Sequence, residues 1–166
     1  MMAFRIAWYK VHRPLPFYSA YFSIRAVGFD ANTMTRGIEP VKKLYHELNT
    51  KPDATANEKD TVVTLEVVYE FYKRGFTFQP VDLYRSHPSD FLIEGNTLIP
   101  PLTSLPGLGL SAAQNLVEER EKGKFSSIDE ISMRCSKVSK GVIELLDKNG
   151  ALQGMPKSDQ VSMFDF

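Results

Sequence analysis

Only one cysteine, Cys135, occurs in 166 residues, so no internal disulfide framework can hold this chain together. Its thiol reads as a small, semi-buried apolar group rather than a nucleophile. Neither sign of charge prevails, with 20 basic against 20 acidic residues. That balance argues against a broad basic surface that coats nucleic acid, and any contact with DNA must be local. The three histidines, His12, His46 and His87, are too far apart to form a metal-ligand spacing. No Asp-x-Asp pair and no glycine-rich Walker loop occur, so neither two-metal carboxylate chemistry nor nucleotide cradling is legible. No catalytic residue, metal site or cofactor is therefore expected in this chain. No apolar run approaches the roughly 20 residues that cross a bilayer, and no signal peptide opens the sequence. A cytoplasmic location and no membrane partner are the expectation.

What is present is an ordinary globular composition, 43% hydrophobic and 24% charged, enough to build a core. Met1 to Arg13 reads as a helix stopped by Pro14 and Pro16, with no N-cap before its apolar residues, as expected of a fragment of a longer chain. Phe17 to Val27 is a second helix, packed through Phe17, Tyr18, Tyr21, Phe22 and Ile24, whose aromatics read as core rather than as a base-stacking platform. Gly28 to Gly37 is loop, Glu39 to Leu48 a polar helix, and Thr50 to Asp60 a linker. From Asp60 to Arg74, Val62, Leu65, Val68, Tyr69 and Tyr72 recur at spacings of three and four, and Gly75 ends the helix. Phe76 to Gln79 alternates as a short strand, and the segments around Phe91–Ile93 and Thr97–Ile99 flank Gly95-Asn96 as a tight hairpin. The fold class that follows is α+β and mostly α-helical, with a small β unit and a C-terminal helix-hairpin-helix region. The divisions fall at 1–55, 56–101, 102–152 and 153–166.

The most informative stretch runs from Leu102 to Ala113. A short helix, a Pro-Gly-Leu-Gly turn and a capped helix form a helix-hairpin-helix pattern. Its physics is that of an anion site. Gly107 and Gly109 permit positive φ and a bare backbone, so successive N–H groups can point at a phosphate. The N-terminus of the next helix adds unsatisfied donors. Pro106, Gly107, Leu108, Gly109, Leu110, Ser111 and Ala112 are the candidate contacts, in a grip that reads no bases. The bland alternative is a plain helical turn, with glycine for geometry and Leu108 for packing. Ser111 with Gln114 is expected to form a capping box, and Ser127 with Glu130 repeats the device. Ser139 caps a third short helix carrying Val142, Leu145 and Leu146. Lys137 to Leu152 reads as a degenerate second copy that lacks the Gly-x-Gly turn. Lys137 and Lys140 are its candidate phosphate contacts, and serve equally well as solvated surface lysines. Residues 153–166 read as a flexible tail.

Several runs resemble PolC-type DNA polymerase III alpha subunits. They are Arg5 to Pro14, Tyr21 to Ala26, Gly75-Phe76, Val81 to Ser86, Ile93 to Pro101, Leu105 to Gly109 and Gln160 to Phe164. The resemblance covers nearly the whole chain in the right order. It implies that residues 1–55 are the end of the polymerase fingers, where Lys10, His12, Arg13 and Arg25 would line the template region. It implies that about 60–152 holds the newly made duplex. Gln160, Ser162, Met163 and Phe164 would then be a sliding-clamp-binding motif, whose apolar pair suits a hydrophobic pocket. The extension Asp165-Phe166 departs from the family pattern. Duplex DNA, the sliding clamp and the remainder of the polymerase are the implied partners. The magnesium-binding palm of that family lies upstream of this segment, so no polymerase activity is expected from this chain alone. Two other readings stand beside it. One is a free-standing, sequence-independent DNA-binding module. The other is a repair glycosylase built on the same hairpin, for which Asp129 is in range but Ser111 to Glu121 supplies no lysine.

Overall fold

The computed structural model describes residues 2–158. Five helices come first: α1 (Met2–His12), α2 (Pro14–Ile24), α3 (Ala31–Met34), α4 (Ile38–Asn49) and α5 (Ala56–Lys73). Three short strands follow, β1 (Thr77–Phe78), β2 (Leu92–Glu94) and β3 (Thr97–Ile99). A 3-10 turn at Leu102–Ser104 then leads into α6 (Leu110–Lys122), α7 (Ile128–Arg134) and α8 (Lys140–Asn149). The fold is α+β and mostly helical, as the sequence pattern implies.

Helix α5 begins four residues earlier than its apolar periodicity suggests, because Thr55 closes a full capping box with Glu58. Lys51 adds an ion pair at 2.5 Å, and that lysine, followed by the Thr55 amide, holds the Glu58 carboxyl down to about 2. The stretch read as a linker is therefore ordered at its end. The loop before α4 likewise contains a helix, α3, capped by Asp30 accepting from the Asn32 amide at 2.8 Å. Strand β3 is central in the sheet order β1-β3-β2, antiparallel to β2 across the Gly95-Asn96 turn and parallel to β1. Gly95 adopts φ +58°, the left-handed backbone that such a turn requires.

Buried apolar side chains form two clusters. The first gathers Tyr18, Phe22, Leu65, Val68, Phe71, Phe78, Phe91 and Leu98 around α2, α5 and the sheet. Most of its rings meet edge to face or tilted, Phe71 lying 4.5 Å from Phe78 and Phe29 lying 4.9 Å from Phe91, while Tyr18 and Phe22 stack at 6.0 Å. Truncating a buried ring such as Phe71 to alanine costs about 3–5 kcal/mol. Ile24, expected inside, is exposed at the end of α2. Polar contacts attach α1 to this cluster. The Tyr18 hydroxyl and the Lys10 ammonium both donate to Glu70, at 2.5 and 2.8 Å, and Arg74 donates to the Lys10 carbonyl at 2.9 Å. Burial, reinforced by Glu70, pushes the Tyr18 phenol up to about 12.

The second cluster lies around the last three helices, and Val81 and Leu83 join it from the strand connection. Phe29 packs against both clusters.

Candidate nucleic-acid interface

Leu105 and Leu108 are 1% and 4% exposed, so both ends of the Pro-Gly-Leu-Gly turn are nailed to the second core. The Leu108 amide donates to the Leu105 carbonyl at 3.0 Å, closing the turn. Between and beyond these anchors Pro106, Gly107, Gly109, Leu110 and Ser111 are exposed. Leu108 and Ala112 face inward, and their side chains belong to the core.

The two glycines have different tasks. Gly107 takes φ +99°, and a Cβ added there would stand 2.9 Å from Leu145 Cδ1. Gly109 takes φ −75° and ψ 159°, an extended backbone open to any residue, with nothing within 4 Å of its missing Cβ. The expectation that both glycines use left-handed backbone is thus corrected to Gly107 alone. Gly109 is the N-cap of α6 and brings no side-chain acceptor, while Ala113 donates to its carbonyl at 3.0 Å. The capping box expected of Ser111 does not form, because Gly109 holds the extended cap conformation and Ser111 is already inside the helix. Among the described residues no acceptor faces the amides of Gly107, Gly109, Leu110 or Ser111. An exposed turn with two glycines and four unspent amide donors suits an oxyanion.

The same packing recurs thirty residues later. Cys135 and Val138 are buried as Leu105 and Leu108 are, and Val142, Ile143 and Leu146 repeat Ala112, Ala113 and Leu116. The Val138 amide donates to Cys135 at 3.1 Å and Ile143 to Ser139 at 3.2 Å, repeating the Leu108–Leu105 and Ala113–Gly109 bonds of the first loop. The loops also rest on each other's helices. Gly107 abuts Leu145 of α8, and the Lys137 amide donates to Asn115 Oδ1 of α6 at 3.0 Å. Adding thirty to 107 gives 137 and to 115 gives 145, so the two contacts exchange under an internal two-fold. The second hairpin spends its donors inward: Lys137 on Asn115, and Val142 on the Ser139 hydroxyl at 3.4 Å. Outward it presents Lys137 and Lys140, both exposed and without an ion-pair partner among the described residues. Burial pushes the Cys135 thiol up to about 11, in keeping with an inert core group.

A brace holds the pair of hairpins in shape. Arg134 lies 4.6 Å over the Phe125 ring, donates to the Glu119 carbonyl and to Gly123 O at 3.2 Å, and pairs with Glu130 at 3.0 Å. This guanidinium neutralises the C-terminal end of α6 and is not free for phosphate. Ser127 caps α7 as expected, accepting from the Glu130 amide at 3.2 Å, but the glutamate's own carboxylate reaches Ser126 instead. The Ser126 hydroxyl and amide, helped by Arg134, hold the Glu130 carboxyl down to about 2. Tyr84 accepts from the Phe125 amide at 3.2 Å and Arg120 donates to Leu83 O at 2.6 Å, joining the hairpins to the strand connection. The Ile128 and Asp129 amides donate to Pro156 O and Lys157 O at 2.9 and 3.0 Å, so the C-terminal stretch is tied down as far as Lys157. Nothing in the local sequence marks Asn115, Arg134 or this last contact.

Other sequence candidates lie apart. Lys10 is committed to Glu70, and His12, Arg13 and Arg25 are exposed at the far ends of α1 and α2. Asp129 is exposed in the first turn of α7. Gln160, Ser162, Met163 and Phe164 lie outside the described residues. Among the described residues no group of three His, Cys, Asp or Glu could hold a metal ion, and no helix is long and apolar enough to cross a membrane.

Residues 75–161 match the family model of the helix-hairpin-helix motif, more than half of the chain. The chain belongs to the helix-hairpin-helix family. Along 99% of its length it is also similar to proteins named DNA polymerase III PolC-type. Identity is 46% for that of Bacillus subtilis (strain 168), 46% for that of Streptococcus thermophilus (strain ATCC BAA-491 / LMD-9) and 44% for that of Listeria innocua. The chain spans about 11% of the length of these relatives. Identity of this level over 99% of the chain makes it homologous to a segment of PolC-type polymerases.

Proposed function

We propose that this chain is a non-catalytic part of a bacterial replicative DNA polymerase, holding duplex DNA by its backbone and tethering to the sliding clamp through its C-terminal tail. The observation that carries the first half is the exposed turn around Gly107 and Gly109, where the amides of Gly107, Gly109, Leu110 and Ser111 have no acceptor among the described residues. Amides and a helix N-terminus take phosphate without reading bases, so the grip is sequence-independent. Lys137 and Lys140 add two cations at the neighbouring hairpin. Neutralising two phosphates gives a log–log salt slope of about −2, or roughly tenfold weaker binding from about 50 to 200 mM salt.

The test is fluorescence anisotropy of the 166-residue chain with several unrelated duplexes across a salt series. Affinities within a few-fold of one another at each salt concentration support backbone recognition. Affinities that spread over orders of magnitude among sequences at fixed salt refute it.

The clamp-tethering half rests on Gln160, Ser162, Met163 and Phe164, whose pattern resembles the family's clamp-binding motif. A tether of this kind raises processivity through effective concentration rather than chemistry. Binding to a bacterial sliding clamp, lost in Met163→Ala/Phe164→Ala, supports it, and no wild-type binding removes it. Nucleotide transfer belongs, on this reading, to the remainder of the polymerase with its magnesium ions. The exposed Met2, Phe4, Ile6 and Trp8 of α1 suit contact with that remainder. The setting is the bacterial cytoplasm. A free-standing module of the same chemistry differs only in lacking that contact.

A further inference from the structure

We infer that Asn115 is a positioning residue for the DNA grip, pinning the second hairpin's loop so that Lys137 meets phosphate in fixed register with the first hairpin; the inference rests on the duplex-binding function proposed above. Asn115 is only 8% exposed, on a face of α6 otherwise made of Ala112, Ala113 and Leu116. Its counterpart thirty residues on is Leu145, which does the matching packing with a purely apolar side chain. Packing alone therefore gives no reason for an amide at 115. Its Oδ1 has one evident task, accepting from the Lys137 amide at 3.0 Å.

That bond matters because the second loop lacks the device that shapes the first. Gly107 uses φ +99°, whereas Lys137 has no left-handed backbone. Closed by the same Val138–Cys135 bond but without left-handed backbone, this loop takes a further constraint from a side-chain acceptor on the neighbouring helix. The pinned residue is also the one that carries the cation. Holding its backbone fixes where the ammonium leaves the surface and lowers the freedom it loses on meeting phosphate. The pin stands on α6, five residues from Leu110 at the helix start, or about 7.5 Å along the axis. One rigid helix thus joins the amide donors of the first hairpin to the lysine of the second.

The experiment is a double-mutant cycle between Asn115→Leu and Lys137→Ala in the full chain, read as duplex affinity across a salt series, with thermal unfolding alongside. The leucine repeats the side chain at 145, and Asn115→Ala removes the acceptor without adding volume if leucine does not fit. Expected are a three- to tenfold weaker Kd for Asn115→Leu, a salt slope shallower by up to about one, and little further loss in the Lys137→Ala background. A merely structural role would leave the slope unchanged and weaken binding equally in both backgrounds, which overturns the inference. Wild-type affinity and slope in Asn115→Leu overturn it as well. A wild-type chain with no duplex affinity overturns the proposed function itself, and this inference with it.

Discussion

Replacing Gly109 by alanine adds one methyl group where nothing lies within 4 Å and where the backbone, at φ −75°, already suits an L-residue. Alanine is a poorer N-cap than glycine, but it also narrows the unfolded ensemble, which contributes about 0.4–1 kcal/mol the other way. The net change in stability is about 0.5 kcal/mol or less. For DNA the same methyl stands at the mouth of the loop, beside the unspent amides of Leu110 and Ser111. Displacing one phosphate oxygen from a charge-assisted hydrogen bond costs about 1.5–3 kcal/mol, or roughly ten- to a hundredfold in Kd. No cation is removed, so the salt slope holds. Gly107→Ala is the contrasting perturbation. Left-handed backbone at a non-glycine residue costs about 1–3 kcal/mol, and the new Cβ meets Leu145 Cδ1 at 2.9 Å. Together these amount to about 2–4 kcal/mol and a Tm lower by about 5–15 °C. Circular dichroism melts and duplex anisotropy on both variants decide the matter. Gly109→Ala with wild-type affinity, or with a Tm loss equal to that of Gly107→Ala, would refute the assignment of one glycine to contact and the other to shape.

Glu130 is held near 2 in the fold against the usual 4.5, so its contribution is complete above about pH 4.5 and is lost as pH falls toward 2. Melting temperature followed over that window should fall less steeply in Glu130→Gln, and an unchanged slope would mean the Ser126 contacts contribute nothing. Tyr72 donates to the Met34 carbonyl at 2.7 Å and accepts from the Gly37 amide at 3.2 Å, with burial pushing its phenol up to about 12. Tyr72→Phe should cost about 1–2 kcal/mol, read as a Tm lower by about 2–8 °C. Cys135, fully buried with its thiol raised to about 11, should react with a thiol reagent only after unfolding. Rapid labelling of the native chain would contradict that burial.

Helix α5 and the β2–β3 hairpin were legible because their signals are local: a three-four apolar period ended by Gly75, and Gly95-Asn96 between two apolar runs. The first hairpin was legible for the same reason, since Pro106, Gly107 and Gly109 are adjacent in the chain. Its cap was misread. Ser111 and Gln114 carry the right side chains at the right spacing, yet the cap falls to whichever residue holds extended backbone, and that is Gly109. The Thr55 cap is hidden in a stretch with no apolar periodicity, although its pairing with Glu58 is as local as any other. The contacts that join the hairpins, Asn115 to Lys137 and Arg134 to Glu119, span 22 and 15 residues. No period or spacing rule reaches so far, and the thirty-residue repetition, visible once burial is compared, relates only the first of them to a counterpart, Gly107 against Leu145.

Helix α1 buries no residue, and besides lying along α2 it is attached by the Lys10 ammonium donating to Glu70 and by Arg74 donating to the Lys10 carbonyl. Its neighbour α5 carries Leu65, Val68 and Phe71 wholly inside the core. The two therefore belong to different levels of the molecule's opening hierarchy. Amide hydrogens of α1 escape through a small local excursion that breaks a few polar contacts, whereas those of α5 wait for the whole first cluster to come apart. Exchange with deuterated water would resolve this as a step in protection between residues 12 and 65, with α1 lifting from an otherwise folded body.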